Sequence, residues 1–147
     1  MKTGRRLIER MQGRGTWRMT AQRRVIAQAL EGDHVHLTAE QIFQRARQHL
    51  PELSLATVYN TLNELVELGE LQQMEIPGRP TRYDPNTEHR HDHLVCLRCG
   101  EIHDVFPRGK LQLPASQRFG HRIVGQETVF KGYCPRCGGP ASSRRRA

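Results

Sequence analysis

His91-Asp92-His93-Leu94-Val95-Cys96-Leu97-Arg98-Cys99-Gly100 places two histidines at i, i+2 and a Cys-x-x-Cys within ten residues. A second Cys-x-x-Cys, Cys134 and Cys137, follows near the C-terminus, and these four are all the cysteines of the chain. Apolar residues lead into the first pair, so residues 94–97 are predicted to form a strand. Alternation along a strand puts His91 and His93 on one face and Cys96 on the other. One short segment is then able to serve two metals, one through thiolates and one through imidazoles. Two Cys-x-x-Cys pairs suit tetrahedral zinc. Residues 100–133 separate them, more than in the usual zinc ribbon, so intervening secondary structure must bring the pairs together. Gly100 and Gly138 directly follow the pairs, as expected where a backbone turns sharply around a metal. Two disulfides or free core thiols are the alternatives, and a thiol redox switch is compatible with zinc. Zinc is preferred because no secretory signal opens the chain and cytosolic chains seldom keep disulfides.

At 147 residues the chain holds one ordinary domain or two small ones. With 36% hydrophobic residues and few aromatics, two small cores are expected, one helped by metal. The net charge of +8, from 23 Lys+Arg against 15 Asp+Glu, suits a polyanionic partner, nucleic acid first. A merely solvated basic surface is the alternative. No apolar run approaches the ~20 residues needed to span a bilayer. The chain is therefore expected in the cytoplasm, with no membrane partner.

Residues 1–18 are basic, with Leu7, Ile8 and Met11 as a sparse apolar stripe, and predict a short helix ending at Gly13 or Gly15. Thr20 is placed to cap a second helix with Val25, Ile26, Ala29 and Leu30 on its apolar face. A connector over residues 33–37 holds His34 and His36. Thr38 and Gln41 form a capping box for a third helix, whose inner face is Ile42, Phe43, Ala46 and Leu50, closed by Pro51. Ser54 caps a fourth helix that Gly69 terminates. Val58, Leu62 and Leu65 fall at i, i+4, i+7 and should face the core. Ala56, Thr57, Tyr59, Asn60 and Asn63 are left on other faces. Small, hydroxyl and amide side chains beside a tyrosine suit the major groove, where a thymine methyl and an adenine edge are read. An ordinary solvated helix is the bland alternative. Two extended segments, residues 71–76 and 81–84, follow and complete the pattern of a winged helix-turn-helix.

The polar, proline-broken run Asp84-Pro85-Asn86-Thr87-Glu88 marks a hinge. The expected organisation is a winged-helix DNA-binding domain over 1–84, a hinge over 85–90, a small α/β domain over 91–140 and a basic disordered tail over 141–147. The second domain is predicted to be β-rich, with strands near 94–97, 101–106, 122–124 and 128–133, and a short helix within 110–119 around Pro114. The fold class is α+β.

Ser54-Leu55-Ala56-Thr57-Val58-Tyr59-Asn60-Thr61-Leu62, then His91-x-His93-x-x-Cys96-x-x-Cys99-Gly100, resembles the ferric uptake regulator (Fur) family of bacterial repressors. Arg18-x-Thr20-x-Gln22-Arg23 and the closing Cys134-x-x-Cys137 fit it too, so the likeness spans about residues 15–138. The resemblance implies a homodimer: the N-terminal winged helix binds a double-stranded AT-rich palindrome, and the C-terminal α/β domain dimerises and carries structural Zn2+. It implies a regulatory metal at the hinge, with His36, Asp84, His91, His93 and Asp104 at the ligand positions. Three imidazoles and two carboxylates without thiolate suit Fe2+ or Mn2+. Metal bound from both sides of the hinge would hold two reading helices at the spacing of successive major grooves. Arg18 is expected in a minor groove or on a phosphate.

Asp104 stands where iron-sensing relatives usually have glutamate, and it resembles the peroxide-stress (PerR) branch, as does Asn60. In that branch Fe2+ and peroxide oxidise ligand histidines, at the positions of His36 and His91. Plain iron- or manganese-level sensing is the alternative. Three departures stand out. Arg90 and Gln126 occupy positions where some members have a further metal site, which is expected to be absent here. Residues 110–119 look short for the family's C-terminal helix. The spacing from Asp84 to His91 is one residue longer than in the peroxide branch.

The remaining histidines, His34, His49, His89, His103 and His121, are assigned to surface or structural roles, with His89 able to replace His91 in a slipped register. A zinc hydrolase using His91 and His93 lacks an evident general base and pocket, so no enzyme and no small-molecule substrate beyond metal and peroxide is expected. A zinc-ribbon RNA-binding protein is disfavoured, because single-stranded RNA is stacked on aromatics and only 5% of residues are Phe, Trp or Tyr.

Overall fold

The structure, a computed structural model, describes residues 6–32, 35–109 and 111–138. Asp33, His34, Lys110, the first five residues and the C-terminal tail lie outside that range, so the expectations for His34 and for a disordered tail do as well. The chain separates into two compact units, with the division between Arg90 and His91. No helix among the described residues is long and apolar enough to cross a membrane.

The first unit runs α1 (Leu7–Gln12), α2 (Ala21–Ala29), β1 (Leu37–Thr38), α3 (Ala39–Ala46), α4 (Leu55–Glu67), β2 (Gln72–Met74) and β3 (Arg82–Asp84). Its helices start where side chains replace missing backbone partners. Thr20 accepts from the N–H of Arg23, Thr38 and Gln41 cap each other's backbone, and Ser54 accepts from the N–H of Thr57. The fourth helix then presents Val58, Leu62 and Leu65 to the core, all with no exposed surface. Thr61 is buried beside them. Burying one such leucine contributes roughly 1.5–3 kcal/mol. Leu7 and Met11, Ile26 and Leu30, Ile42 and Ala46, and Tyr83 of the sheet complete one apolar cluster. Phe43 and Leu50 are only partly buried against it, and α3 ends at Ala46, ahead of Pro51.

The sheet of this unit has the order β1-β3-β2, all antiparallel. The strand β1 was not expected: residues 33–37 read as a connector, and two residues are too few to show alternation. Pairing with β3 makes it a strand. With α2, α3 and α4, this sheet forms a winged helix-turn-helix. A buried ion-pair cluster fastens α1 to it. Arg10 Nε lies 2.6 Å and Arg14 Nη2 2.7 Å from the Glu70 carboxylate, and Arg10 also donates to the carbonyls of Glu70 and Pro85. Burial raises the Glu70 pKa, but the two guanidiniums outweigh it and hold the carboxyl below its ordinary value.

The second unit is a three-stranded sheet of order β5-β4-β6, from β4 (Asp92–Cys96), β5 (Ile102–Val105) and β6 (Val129–Gly132), followed by the single helical turn α5 (Pro135–Gly138). β4 pairs antiparallel with β5 and parallel with β6. Two expectations fail here. Residues 111–119 hold only a 3-10 turn, Ala115–Gln117, and residues 122–124 form no strand. A helix of that length draws its stability from packing, and Leu111 and Phe119 are 80% and 84% exposed. Residues 122–124 lack the partner strand a ladder requires. The architecture is α+β: a winged helix-turn-helix followed by a small mixed domain built on the second sheet.

Candidate metal centres and DNA-facing helix

The parallel pairing of β4 with β6 explains the long gap between the cysteine pairs. Parallel neighbours need a crossover, and both strands then end at the same edge. Cys96 is in register with Gly132, and the Leu97 N–H donates to the Gly132 carbonyl at 2.8 Å. Each strand runs out into its own Cys-x-x-Cys turn. The first closes through the Gly100 N–H to the Cys96 carbonyl at 2.9 Å, with Gly100 at φ +77°. The second closes through the Gly138 N–H to the Cys134 carbonyl at 2.9 Å. A Cβ on Gly138 would stand 2.7 Å from Tyr133 Cβ, so glycine is required at that close approach.

All four sulfurs lie within 4.8 Å of one another, and none is in a disulfide. Cys99 Sγ and Cys134 Sγ are 3.8 Å apart. Zn–S bonds of about 2.3 Å in a tetrahedron put sulfurs about 3.8 Å apart, so the cluster has the dimensions of a structural zinc site. Backbone N–H groups of Cys99 and Cys134 point at Cys96 and lower its thiol to about 6. Hydrogen bonding with Cys134 raises the Cys137 thiol to about 12. The Arg98 guanidinium, 5.6 Å over the Tyr133 ring, also donates to the Cys137 carbonyl and braces one turn against the other.

The nitrogen and oxygen donors form one group in each unit. In the first, β1 and β3 pair Leu37 with Tyr83, and one step further along that register His36 faces Asp84. His36 Nε2 is 3.4 Å from Asp84 Oδ2, with both side chains buried. The Arg82 guanidinium donates to the His36 carbonyl at 2.9 Å, and Asp84 Oδ1 accepts from the Asn86 N–H at 2.8 Å. In the second unit, His93 is the antiparallel partner of Asp104. Asp104 Oδ1 lies 3.4 Å from His91 Nε2 and 3.6 Å from His93 Nε2, with the two rings edge to face at 4.8 Å. Two imidazoles thus converge on one buried carboxylate oxygen. Glu127, which the residue pattern gave no reason to single out, lies 3.3 Å from the other ring nitrogen of His93.

On α4, Ala56, Tyr59, Asn60 and Asn63 are exposed and Thr57 is half-buried, opposite the apolar stripe. Ser54 is exposed, but its hydroxyl is engaged in capping, 2.8 Å from the Thr57 hydroxyl. Arg18 is exposed and held from behind, because Arg23 donates to its carbonyl at 2.8 Å. Arg23 also reaches Glu64 at 2.7 Å and stacks on Trp17, whose indole N–H donates to the same Glu64. Glu64 therefore orients α4 against the segment carrying Arg18. Sequence reasoning missed that role, which no local pattern signals.

A winged helix joined to a sheet with a four-thiolate cluster and converging imidazoles defines a class of metal-responsive DNA-binding regulators. The model of the ferric uptake regulator family matches residues 14–123. The chain belongs to the ferric uptake regulator family, whose members are transcriptional regulators that bind DNA and act as dimers. It is 30% identical over 122 residues to the peroxide-responsive repressor PerR of Staphylococcus aureus (strain USA300), covering 82% of each chain. A zinc-bound manganese uptake regulator superposes with a TM-score of 0.63 at 29% identity, covering 88% of this chain and 99% of that one. The Helicobacter pylori ferric uptake regulator shares the fold, with a TM-score of 0.69 at 22% identity over 92% and 94% of the two chains.

Proposed function

We propose that this regulator is a dimeric, metal-dependent repressor whose regulatory ion is held by His36, Asp84, His91, His93 and Asp104. Structural zinc sits on Cys96, Cys99, Cys134 and Cys137. The observation that carries the reading is the convergence of His91 and His93 on Asp104 Oδ1. Two imidazoles beside a carboxylate are a ligand set short of donors, and His36 with Asp84 supplies the matching remainder from the other side of residues 85–90. The combined set has no thiolate and favours Fe2+ or Mn2+. With both groups on one ion, the hinge is fixed and the exposed face of α4, through Ala56, Thr57, Tyr59 and Asn60, meets the major groove of an AT-rich palindrome. Ser54 sets the start of that helix, and Arg18 enters the adjacent minor groove.

Peroxide sensing is the finer reading. Asp104 and the likeness to the peroxide-responsive repressor support it. Bound Fe2+ supplies the redox chemistry. His36 and His91 are the side chains that take up an oxygen atom from peroxide, with water released, and each then ceases to be a good ligand. The manganese uptake regulator among the structural neighbours favours metal-level sensing as the second reading.

Mass spectrometry of protein loaded anaerobically with Fe2+ or Mn2+ and given a brief low dose of peroxide separates the two. An added oxygen on the peptides holding His36 and His91, with DNA release, is expected with iron and not with manganese. Unmodified histidines with metal-controlled DNA binding would make the protein a metal-level sensor. Failure to bind an AT-rich palindromic duplex in the presence of Mn2+ would overturn the repressor reading.

A further inference from the structure

The Nδ1 atom of His93 is fully buried and faces a carboxylate, Glu127 Oε1, at 3.3 Å. Its Nε2 atom faces Asp104 Oδ1 at 3.6 Å. Glu127 is held in this place by the chain beside it. The Thr128 N–H donates to Asp92 Oδ1 at 3.0 Å, and the Thr128 carbonyl accepts from the His93 N–H at 3.2 Å. The Asp92 side chain and the His93 backbone thus clamp the residue after Glu127, just before β6 begins. The His93 side chain has no exposed surface, whereas that of Glu127 is 35% exposed.

We propose that Glu127 is a positioning residue that fixes the tautomer of His93. A neutral imidazole carries its proton on one nitrogen and a lone pair on the other. If the lone pair sat on Nδ1 it would oppose the Glu127 carboxylate at close range, out of reach of water. With the proton on Nδ1, the N–H faces the Glu127 carboxylate, a favourable charge–dipole contact at 3.3 Å, and the Nε2 lone pair is presented on the side of His91 and Asp104. A divalent cation needs that lone pair. A carboxylate behind a ligand imidazole also makes the imidazole a stronger donor, and removing such a partner typically weakens metal binding 10–100-fold. The inference rests on the reading of His93 as a ligand of the regulatory ion.

The test uses the full-length protein with its zinc site filled and four forms: wild type, Glu127→Ala, Glu127→Gln and His93→Ala. Long-range proton–nitrogen NMR without regulatory metal reads the His93 tautomer, and titration with Mn2+ followed by electron paramagnetic resonance reads affinity. Wild type is expected to hold the Nδ1–H form. In Glu127→Ala the tautomer shifts toward Nε2–H and Mn2+ binding weakens about 10- to 100-fold. Glu127→Gln, whose amide oxygen still accepts, keeps the tautomer and loses less affinity. A change in only one of the two readouts in Glu127→Ala overturns the proposal, as does no change in either. If affinity is untouched in Glu127→Ala but lost in His93→Ala, the ligand assignment survives without the positioning role. If His93→Ala binds Mn2+ like wild type, the ligand reading itself fails and the proposal with it.

Discussion

The two units hold their shape by different means. The first closes over an apolar cluster that runs from Leu7 on α1 to Tyr83 on β3, with Ile26, Ile42, Leu62 and Leu65 fully buried inside it. In the second, Val95 and Cys96 are the buried apolar side chains among the described residues, while Phe119 and Val124 are each 84% exposed. A sheet of three short strands with so little behind it is marginal alone. The second unit therefore leans on the thiolate cluster, and on the second copy that regulators of this family acquire as dimers. Small domains that cannot build a core are stabilised by metal or by association.

The contrast can be broken most sharply at the cysteines. Cys96→Ser, or strong chelation, should unfold the second unit, because structural zinc contributes on the order of 10 kcal/mol of folding free energy. Trp17, the single tryptophan, lies in the first unit and reports on it alone. Its fluorescence transition should persist while zinc content and dimer elution are lost. Loss of the Trp17 transition together with the zinc would remove the distinction between the units.

Leu62→Ala attacks the other side. It should cost the first unit about 2–5 kcal/mol in urea unfolding followed at Trp17, since the site is fully enclosed. Zinc content should not change.

Glu70→Ala is expected to cost about 3 kcal/mol at neutral pH, because it leaves the Arg10 guanidinium without its carboxylate. The sign of the pH dependence follows from the lowered Glu70 pKa. The stabilisation is complete above the ordinary carboxylate range and disappears as pH falls through the depressed folded value. Wild type and variant should therefore converge on acidification. A gap that stays constant down to strongly acidic pH would show that the carboxylate charge is not its source.

Val124→Ser is the smallest change, within about 0.5 kcal/mol on the Trp17 transition. It should nevertheless weaken self-association in sedimentation. An unchanged dimer would mean that this exposed face is not where a second copy sits.

The helices and caps of the first unit were legible because their causes are local. Ser54 meets the N–H three residues on, and Val58, Leu62 and Leu65 repeat at the helical period. The cysteine pairs were legible for a similar reason, since Cys-x-x-Cys is itself a chelating turn and the chain has two of them. The helix and strand expected within residues 110–124 failed where local pattern had no core to act on. What only the tertiary structure decided is register. From the residues alone, residues 33–37 read as a connector, and only the family resemblance joined His36 with Asp84. The β1–β3 pairing sets those two side chains together. Parallel pairing of β4 with β6 brings cysteines 38 residues apart into one cluster and lays Glu127 against His93. Caps and periods are written within a few residues of chain. Pairing between distant strands depends on which register buries and bonds best, and that is settled only when the whole sheet forms.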